Sequence, residues 1–526
     1  MAMNTKLLFI IFFLFSTTFF TALSSNNSSN IDWWCNKTPH PEQCKYFMNN
    51  SHHDFAPENR SDFRKMAIQV ALDRAMSAQI HALQFREKIE NNRQKAAWSD
   101  CLKLNECTIL QLNRTLQGIG TNRSCTDFDA QTWLSTALTN LDTCRLGSLE
   151  LNVSDFISPI MSNNNVSELI SNSLAINGVI LDEESNYTYG FPSWVTKHER
   201  KLLQASTSSI KANLVVAKDG SGNYRTVQAA INAASRRRGT GRFVIHVKRG
   251  VYFENIEVGN NNNNIMLIGD GMRFTIISSG RSVGAGDTTY SSATAGIDGT
   301  HFMARGITFR NTAGPLRGQA VALRSASDLS VFYRCAIQGY QDTLMVHSQR
   351  QFYRECYIYG TIDFIFGNAA VVFQNCMIYV RRPLRGQVNV ITAQGRNDPY
   401  QNTGISIQNS QVRAAPDLKP YIRSFKTYLG RPWMQYSRTV FLHTYIDSLV
   451  SPVGWLAWDR SSFALSTLYY GEYKNFGPRS STRYRVRWPG FHVITSPNVA
   501  LRFSVKGLLA GSSWLPGTGV PFTPGL

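Results

Sequence analysis

Past its first two dozen residues the chain has no apolar run long enough to cross a bilayer, which excludes a polytopic membrane protein. Acidic residues are scarce in one part only. From Gln204 onward, 36 Lys and Arg stand against 15 Asp and Glu, a net of +21; the residues before it hold 18 and 20, a net of −2. So basic a second part favours polyanions such as nucleic acid, anionic lipid or an acidic polysaccharide, or serves solubility alone. No recognisable nucleic-acid motif accompanies it, so nucleic acid is not expected as a partner. Asn-x-Ser/Thr acceptors are missing after Asn186, although they recur before it at Asn36, Asn59, Asn113, Asn122, Asn152, Asn165 and Asn186. The first part also lacks a metal-ligand or nucleophile–base arrangement; His52 and His53 sit in a polar loop.

What is there divides the 526 residues into segments. Residues 1–24 carry Lys6, an apolar run from Leu7 to Phe15 and the small residues Ala22-Leu23-Ser24, the pattern of a secretory signal peptide. Secretion makes disulfides and glycosylation permissible, and it leaves no membrane segment after removal of the signal. Residues 30–180 show four stretches with helical periodicity: Ser61 to Glu90, Ala96 to Leu116, Asp127 to Leu146 and Val166 to Ile176. Short connections predict an all-α four-helix bundle. Residues 181–211 form a polar linker holding Arg200, Lys201, Leu202 and Leu203, a dibasic segment open to a processing protease. Residues 212–526 change texture to short Val/Ile/Phe runs broken by Gly and Asn.

One repeat organises that last segment. Phe332-Tyr333-Arg334-Cys335-Ala336-Ile337 is echoed by Phe352-Tyr353-Arg354-Glu355-Cys356-Tyr357-Ile358 and by Phe373-Gln374-Asn375-Cys376-Met377-Ile378. In the first two turns Gly and Asp follow at fixed offsets, as Gly339/Asp342 and Gly360/Asp363. A period of about 20 residues rich in β-branched and aromatic side chains predicts a parallel β-helix. Stacked coils lie about 5 Å apart, which sets Asp342 beside Asp363. Two such carboxylates cannot both ionise cheaply, so one becomes an acid and the other a nucleophile or base. Asp is equally a common turn residue, and the repeat alone leaves both readings open without saying which Asp plays which part.

These residues carry a family resemblance. Gly339-Tyr340-Gln341-Asp342-Thr343-Leu344 and Gly360-Thr361-Ile362-Asp363-Phe364-Ile365-Phe366-Gly367 resemble the two catalytic segments of plant pectinesterases. Gly318-Gln319-Ala320-Val321, Tyr428-Leu429-Gly430-Arg431-Pro432-Trp433, Val215 to Gly222 and Leu468 to Tyr473 are similar to further segments in the same order. The resemblance implies a right-handed parallel β-helix that hydrolyses the methyl esters of cell-wall pectin, releasing methanol without metal or cofactor. It implies Asp363 as nucleophile, Asp342 as acid and base, Gln319 and Gln341 as oxyanion donors, and Arg431 as holder of Asp363. Trp433 supplies a sugar-binding face, and Gln319 and Arg431 also touch substrate. Thr289 matches a substrate-contact position in looser surroundings. Met345 departs from the family's usual Tyr, which alters a subsite wall.

The first part resembles the inhibitor-like pro-region of the same enzymes. That resemblance implies pairing of Cys35 with Cys44 and Cys101 with Cys144, and a bundle that restrains the enzyme until cleavage after Leu203. It leaves Cys107 and Cys125 unassigned. For the stacked Cys335, Cys356 and Cys376 the family implies a Cys356–Cys376 bridge. Separate inhibitor proteins are further expected partners, the chain is expected to be a monomer, and its place is the cell wall. The signatures of a pectin lyase or polygalacturonase are not seen. A non-catalytic wall-binding protein is the alternative from another class.

Overall fold

The computed structural model describes residues 31–50, 57–120, 123–161, 165–183 and 211–526. The signal peptide and the processing segment Arg200–Leu203 lie outside the described residues. The chain forms two compact units. One comprises residues 1–85, 105–141 and 159–185; the other comprises 86–104, 142–158 and 186–526.

The first unit is helical. Helix α1 (Ile31–Cys35) and helix α2 (Pro41–Asn49) are joined by the Cys35–Cys44 disulfide. Helix α3 (Arg60–Gln84) starts where the Asn59 side chain accepts a hydrogen bond from the Asp62 N–H at 3.0 Å. Phe63, Met66, Ala67, Val70 and Ala71 fall on one face at the i, i+3, i+4 spacing and are buried. They join Leu112, Leu134, Leu138, Leu169, Ile170 and Leu174 in one core. These come from α4 (Asn92–Gly118), α5 (Asp127–Glu150) and α7 (Val166–Glu183); the short α6 (Ser154–Met161) precedes α7. Arg64 and Asp127 form an ion pair buried in this core, at 2.6 Å, with Arg123 also on that carboxylate. Cys125 is a buried free thiol, so no Cys107–Cys125 bridge is present.

The second unit is a right-handed parallel β-helix. Its described strands form three sheets of eleven, eight and seven strands, and every named pairing is parallel. The first sheet runs from Leu214–Val216 to Phe491–Val493, the second from Gly250–Phe253 to Tyr445–Ile446, and the third from Ile256–Val258 to Thr427–Gly430. The sequence repeat becomes physical stacking. Phe332 lies opposite Tyr353, and Tyr353 opposite Phe373, with parallel rings 4.7 Å apart at both steps. Ile337, Ile358 and Ile378 form the matching inward row of the second sheet. At the N-terminal end Thr226 caps helix Val227–Ala234, which buries Val227, Ala230, Ile231 and Ala234 in the same core. The outer side of the first sheet is buried too. Val505, Leu508, Leu509, Trp514 and Leu515 pack over Val331, Phe352 and Val372, which is why its strands read as unbroken apolar runs.

The expected Cys356–Cys376 bridge is corrected here. Cys335, Cys356 and Cys376 are all buried free thiols. In parallel coils, equivalent side chains leave the backbone in the same direction, so the sulfurs follow one another instead of converging. Cys356 Sγ donates to the Phe332 carbonyl at 3.2 Å and Cys376 Sγ to the Tyr353 carbonyl at 3.5 Å, each reaching back one coil.

Candidate active site

The site is built at the corner between the second and third sheets. Strand Ala336–Gln338 ends one coil's second-sheet segment, and Leu344–Val346 opens its third-sheet segment. The next coil repeats this with Tyr357–Gly360 and Ile365–Gly367. Leu344 pairs with Ile365, and by the same register Asp342 is level with Asp363. Both aspartates turn the chain in the left-handed region, at φ 57° and 49°. The Asp342 N–H donates to the Ile362 carbonyl at 3.0 Å and the Leu344 N–H to the Phe364 carbonyl at 2.9 Å, which locks one corner onto the next. The repeated glycines permit it: a Cβ on Gly360 would stand 2.2 Å from Phe364, and one on Gly339 2.8 Å from Thr343. The turn reading and the site reading of these aspartates therefore describe the same residues.

Arg431 follows the strand Thr427–Gly430 and reaches Asp363 with two nitrogens. Nε donates at 2.9 and 3.1 Å to the two carboxylate oxygens, and Nη2 donates at 2.5 Å. Its guanidinium lies 4.2 Å from the Trp458 ring centre, with Asp459 adding negative charge nearby. Trp458 escaped the sequence reading because it lies in a loop outside the repeat. Burial raises both carboxylic acids, but unequally. Asp342 is pushed well above the carboxylate range by burial and then by the charges of Asp363 and Glu150. Burial raises Asp363 as well, and the charge and hydrogen bonds of Arg431 oppose it. The shared proton therefore belongs on Asp342 and the negative charge on Asp363. That pairing gives an acid beside an anionic oxygen nucleophile.

The other candidates gather around this pair. Gln319 and Gln341 are both partly exposed. Backbone bonds hold them in place: the Ala320 N–H donates to the Gln341 carbonyl at 3.2 Å. Trp433 meets Phe366 edge-on at 5.7 Å, and a Cβ on Gly395 would press to 2.7 Å from its ring. Met345 is buried and pairs with Phe366. Thr289 is occupied. Glu150 accepts from its backbone N–H at 2.7 Å and from its hydroxyl.

That last contact was not legible in the sequence. Residues 86–104 and 142–158, which continue into the bundle helices α4 and α5, group by their contacts with the β-helical unit. Cys101 and Cys144 bridge these two segments to each other. Thr288 donates its hydroxyl to Asp100, whose acid burial pushes up to about 6. Lys103 pairs with Asp298 at 3.0 Å, beside the buried Arg324, which binds Asp298 at 2.5 Å and Glu257 at 3.0 Å. Thr143 Oγ1 lies 2.9 Å from Nε2 of His347, and burial lowers that imidazole to about 3, keeping it neutral. Among the described residues no group of His, Cys, Asp and Glu is arranged to hold a metal ion, and no helix is long and apolar enough to cross a membrane.

The family model described as pectinesterase matches residues 213–512, and that described as plant invertase/pectin methylesterase inhibitor matches residues 29–176. A probable pectinesterase/pectinesterase inhibitor of Arabidopsis thaliana is 62% identical over 511 residues, covering 95% of this chain and 94% of its own length. Pectinesterase 2 of Citrus sinensis is 55% identical, with 94% of each chain covered. Among solved structures, pectin methylesterase from carrot superposes with a TM-score of 0.60 at 54% identity, over 61% of this chain and 100% of its own.

Proposed function

This chain belongs to the pectinesterase family, and we propose that its paired-aspartate corner removes methyl groups from pectin by way of an acyl-enzyme. The observation that carries the proposal is the clamp of Arg431 on Asp363, one coil from Asp342. An Asp363 oxygen attacks the ester carbonyl, and the electron pair of the C=O bond moves onto oxygen. The side-chain N–H groups of Gln319 and Gln341 receive that oxyanion. As the carbonyl re-forms, the methoxy C–O bond breaks and Asp342 gives its proton to the departing oxygen, releasing methanol and leaving an anhydride on Asp363. Asp342, now ionised, takes a proton from water, and the hydroxide opens the anhydride to the free galacturonate acid. Trp433 and Thr289 orient the sugar. Methanol release from methylated pectin tests the reading directly: no release by the processed enzyme ends it.

The inhibitor-like region is assigned restraint of this activity before processing. In support, Glu150 takes up both the N–H and the hydroxyl of Thr289, a substrate-contact position. Cleavage after Leu203 by a processing protease in the secretory route then removes the region that carries the glycosylation acceptors and delivers a monomer to the cell wall. There, separate inhibitor proteins take over the restraint. Comparing the specific activity of purified uncleaved protein with that of the form beginning near Gln204 tests this arm. Equal activities would assign the region to folding or trafficking instead.

A further inference from the structure

The outer face of the second sheet is unlike that of the first. Among the described residues no helix lies across it, and its outward row is Arg310, Gln338, Tyr359, Tyr379 and Arg413, in register from coil to coil. The Tyr359 and Tyr379 rings stack 4.9 Å apart, tilted by 13°, and both remain partly exposed. At the C-terminal ends of these strands lies an open groove of about 580 Å³, lined by Arg310, Gln338, Tyr340, Tyr359, Arg381 and Asp417 among others.

The groove is preorganised and positive. Arg381 lies 3.8 Å over the Tyr340 ring; it donates to the Tyr340 hydroxyl at 2.7 Å, to the Gly339 carbonyl at 3.0 Å and to Asp417 at 3.2 Å. Arg310 is held by a neutral partner, the Gln338 amide oxygen, at 2.9 Å, so its charge is not cancelled locally. Two guanidinium groups thus face one carboxylate. Tyr340 is one residue removed from Gln341 and two from Asp342, so the groove ends within about 7 Å of chain from the reacting corner. Neither Asp342 nor Asp363 lines it.

We propose that this groove is a binding site for the acidic, de-esterified stretch of a galacturonan chain, distinct from the site that cleaves the ester. Carboxylates pair with Arg310 through charge-assisted hydrogen bonds, and the tyrosine faces take the apolar sides of sugar rings. A methyl ester offers the groove no charge, so the site discriminates product from substrate. Holding product next to Asp342 favours attack on the neighbouring ester of the same chain, and so contiguous runs of free acid. The proposal rests on the esterase reading for its choice of ligand.

The test is binding by the full chain carrying Asp363→Asn, measured by calorimetry with three probes: a fully de-esterified galacturonate hexamer, its fully methylated counterpart and dextran sulfate. Adding Arg310→Gln or, separately, Tyr359→Ser should weaken the acidic hexamer about tenfold, the loss of one charged hydrogen bond or stacking contact. The methylated hexamer should be unaffected, and dextran sulfate should change by less than twofold. Unchanged acidic-hexamer affinity in Arg310→Gln overturns the proposal, as does failure of the parent to bind that hexamer. An equal loss for dextran sulfate also overturns it, since the face would then be general surface charge. Arg310 is partly exposed, so its variant reports even if Tyr359→Ser misfolds. No turnover is needed, so failure of the esterase mechanism would leave this result readable on its own.

Discussion

Two corners of the same coil use one backbone conformation for different ends. At the corner between the first and second sheets, the left-handed position passes from Arg334 to Glu355, Asn375, Asn409, His443 and Lys474 up the stack, with φ between 47° and 56°. At the corner between the second and third sheets it holds Asp342 and Asp363, at 57° and 49°. The first series mixes both charges and neutral groups, so nothing but the turn selects it, and its members are partly or fully exposed. In the second, one carboxylate is buried and clamped by Arg431, and the other is raised by burial and then by that neighbour's charge. Left-handed backbone is therefore no mark of a site in this fold. Burial together with one fixed cation converts a turn residue into chemistry.

The largest expected effect comes from emptying the clamp. Asp363→Asn keeps the shape of the side chain and should reduce methanol release by at least about 10⁴-fold, because the nucleophile is gone. Near-normal turnover would dissolve the distinction between the corners. Asp342→Asn should follow, with a loss of about 10²–10⁴-fold, since methoxide then departs without a proton. A substrate carrying a more acidic alcohol needs less protonation and should recover part of that loss. Equal loss on both substrates would take the acid role away from Asp342.

How far the sequence reached follows from the same contrast. The Phe–Cys–Ile rows, the coil period and the side-by-side aspartates were legible because a solenoid turns sequence period into neighbourhood. Gln319, Arg431 and Trp433 lie outside that period and came only through family resemblance. The Cys356–Cys376 bridge was also read from resemblance, and the free thiols correct it. The partnership of Glu150 with Thr289 and of Lys103 with Asp298 joins residues far apart in the chain and of no shared period. Helical pattern alone assigns Glu150 and Lys103 to the bundle, because it reports which face is apolar and not which partner meets the polar one.

A third measurement sharpens the cause of the asymmetry. Arg431 lowers the pKa of Asp363 against burial. Arg431→Gln removes that effect, so the Asp363 pKa rises. The nucleophile must be ionised, so the acidic limb of the kcat/KM profile should move to higher pH, with maximal kcat/KM down about 10²-fold. A limb that stays in place would mean that Asp363 is not the group titrating there.

The smallest effect is expected at the other corner, and it serves as the control. Glu355 shares the left-handed turn, lies one coil from Arg334 and accepts from its Nε at 2.8 Å. The Arg334 side chain is 55% exposed and that of Glu355 30%, so water and salt screen the pair. Exposed pairs of this kind contribute about 0–1 kcal/mol. Glu355→Gln keeps the length of the side chain and leaves the αL strain as it was. Stability from thermal denaturation should therefore fall by no more than about 1 kcal/mol, and methanol release should stay within twofold. A rate loss comparable with that of Asp342→Asn would show that any carboxylate on a coil corner matters to this enzyme, and the burial-and-cation account of the site would fail.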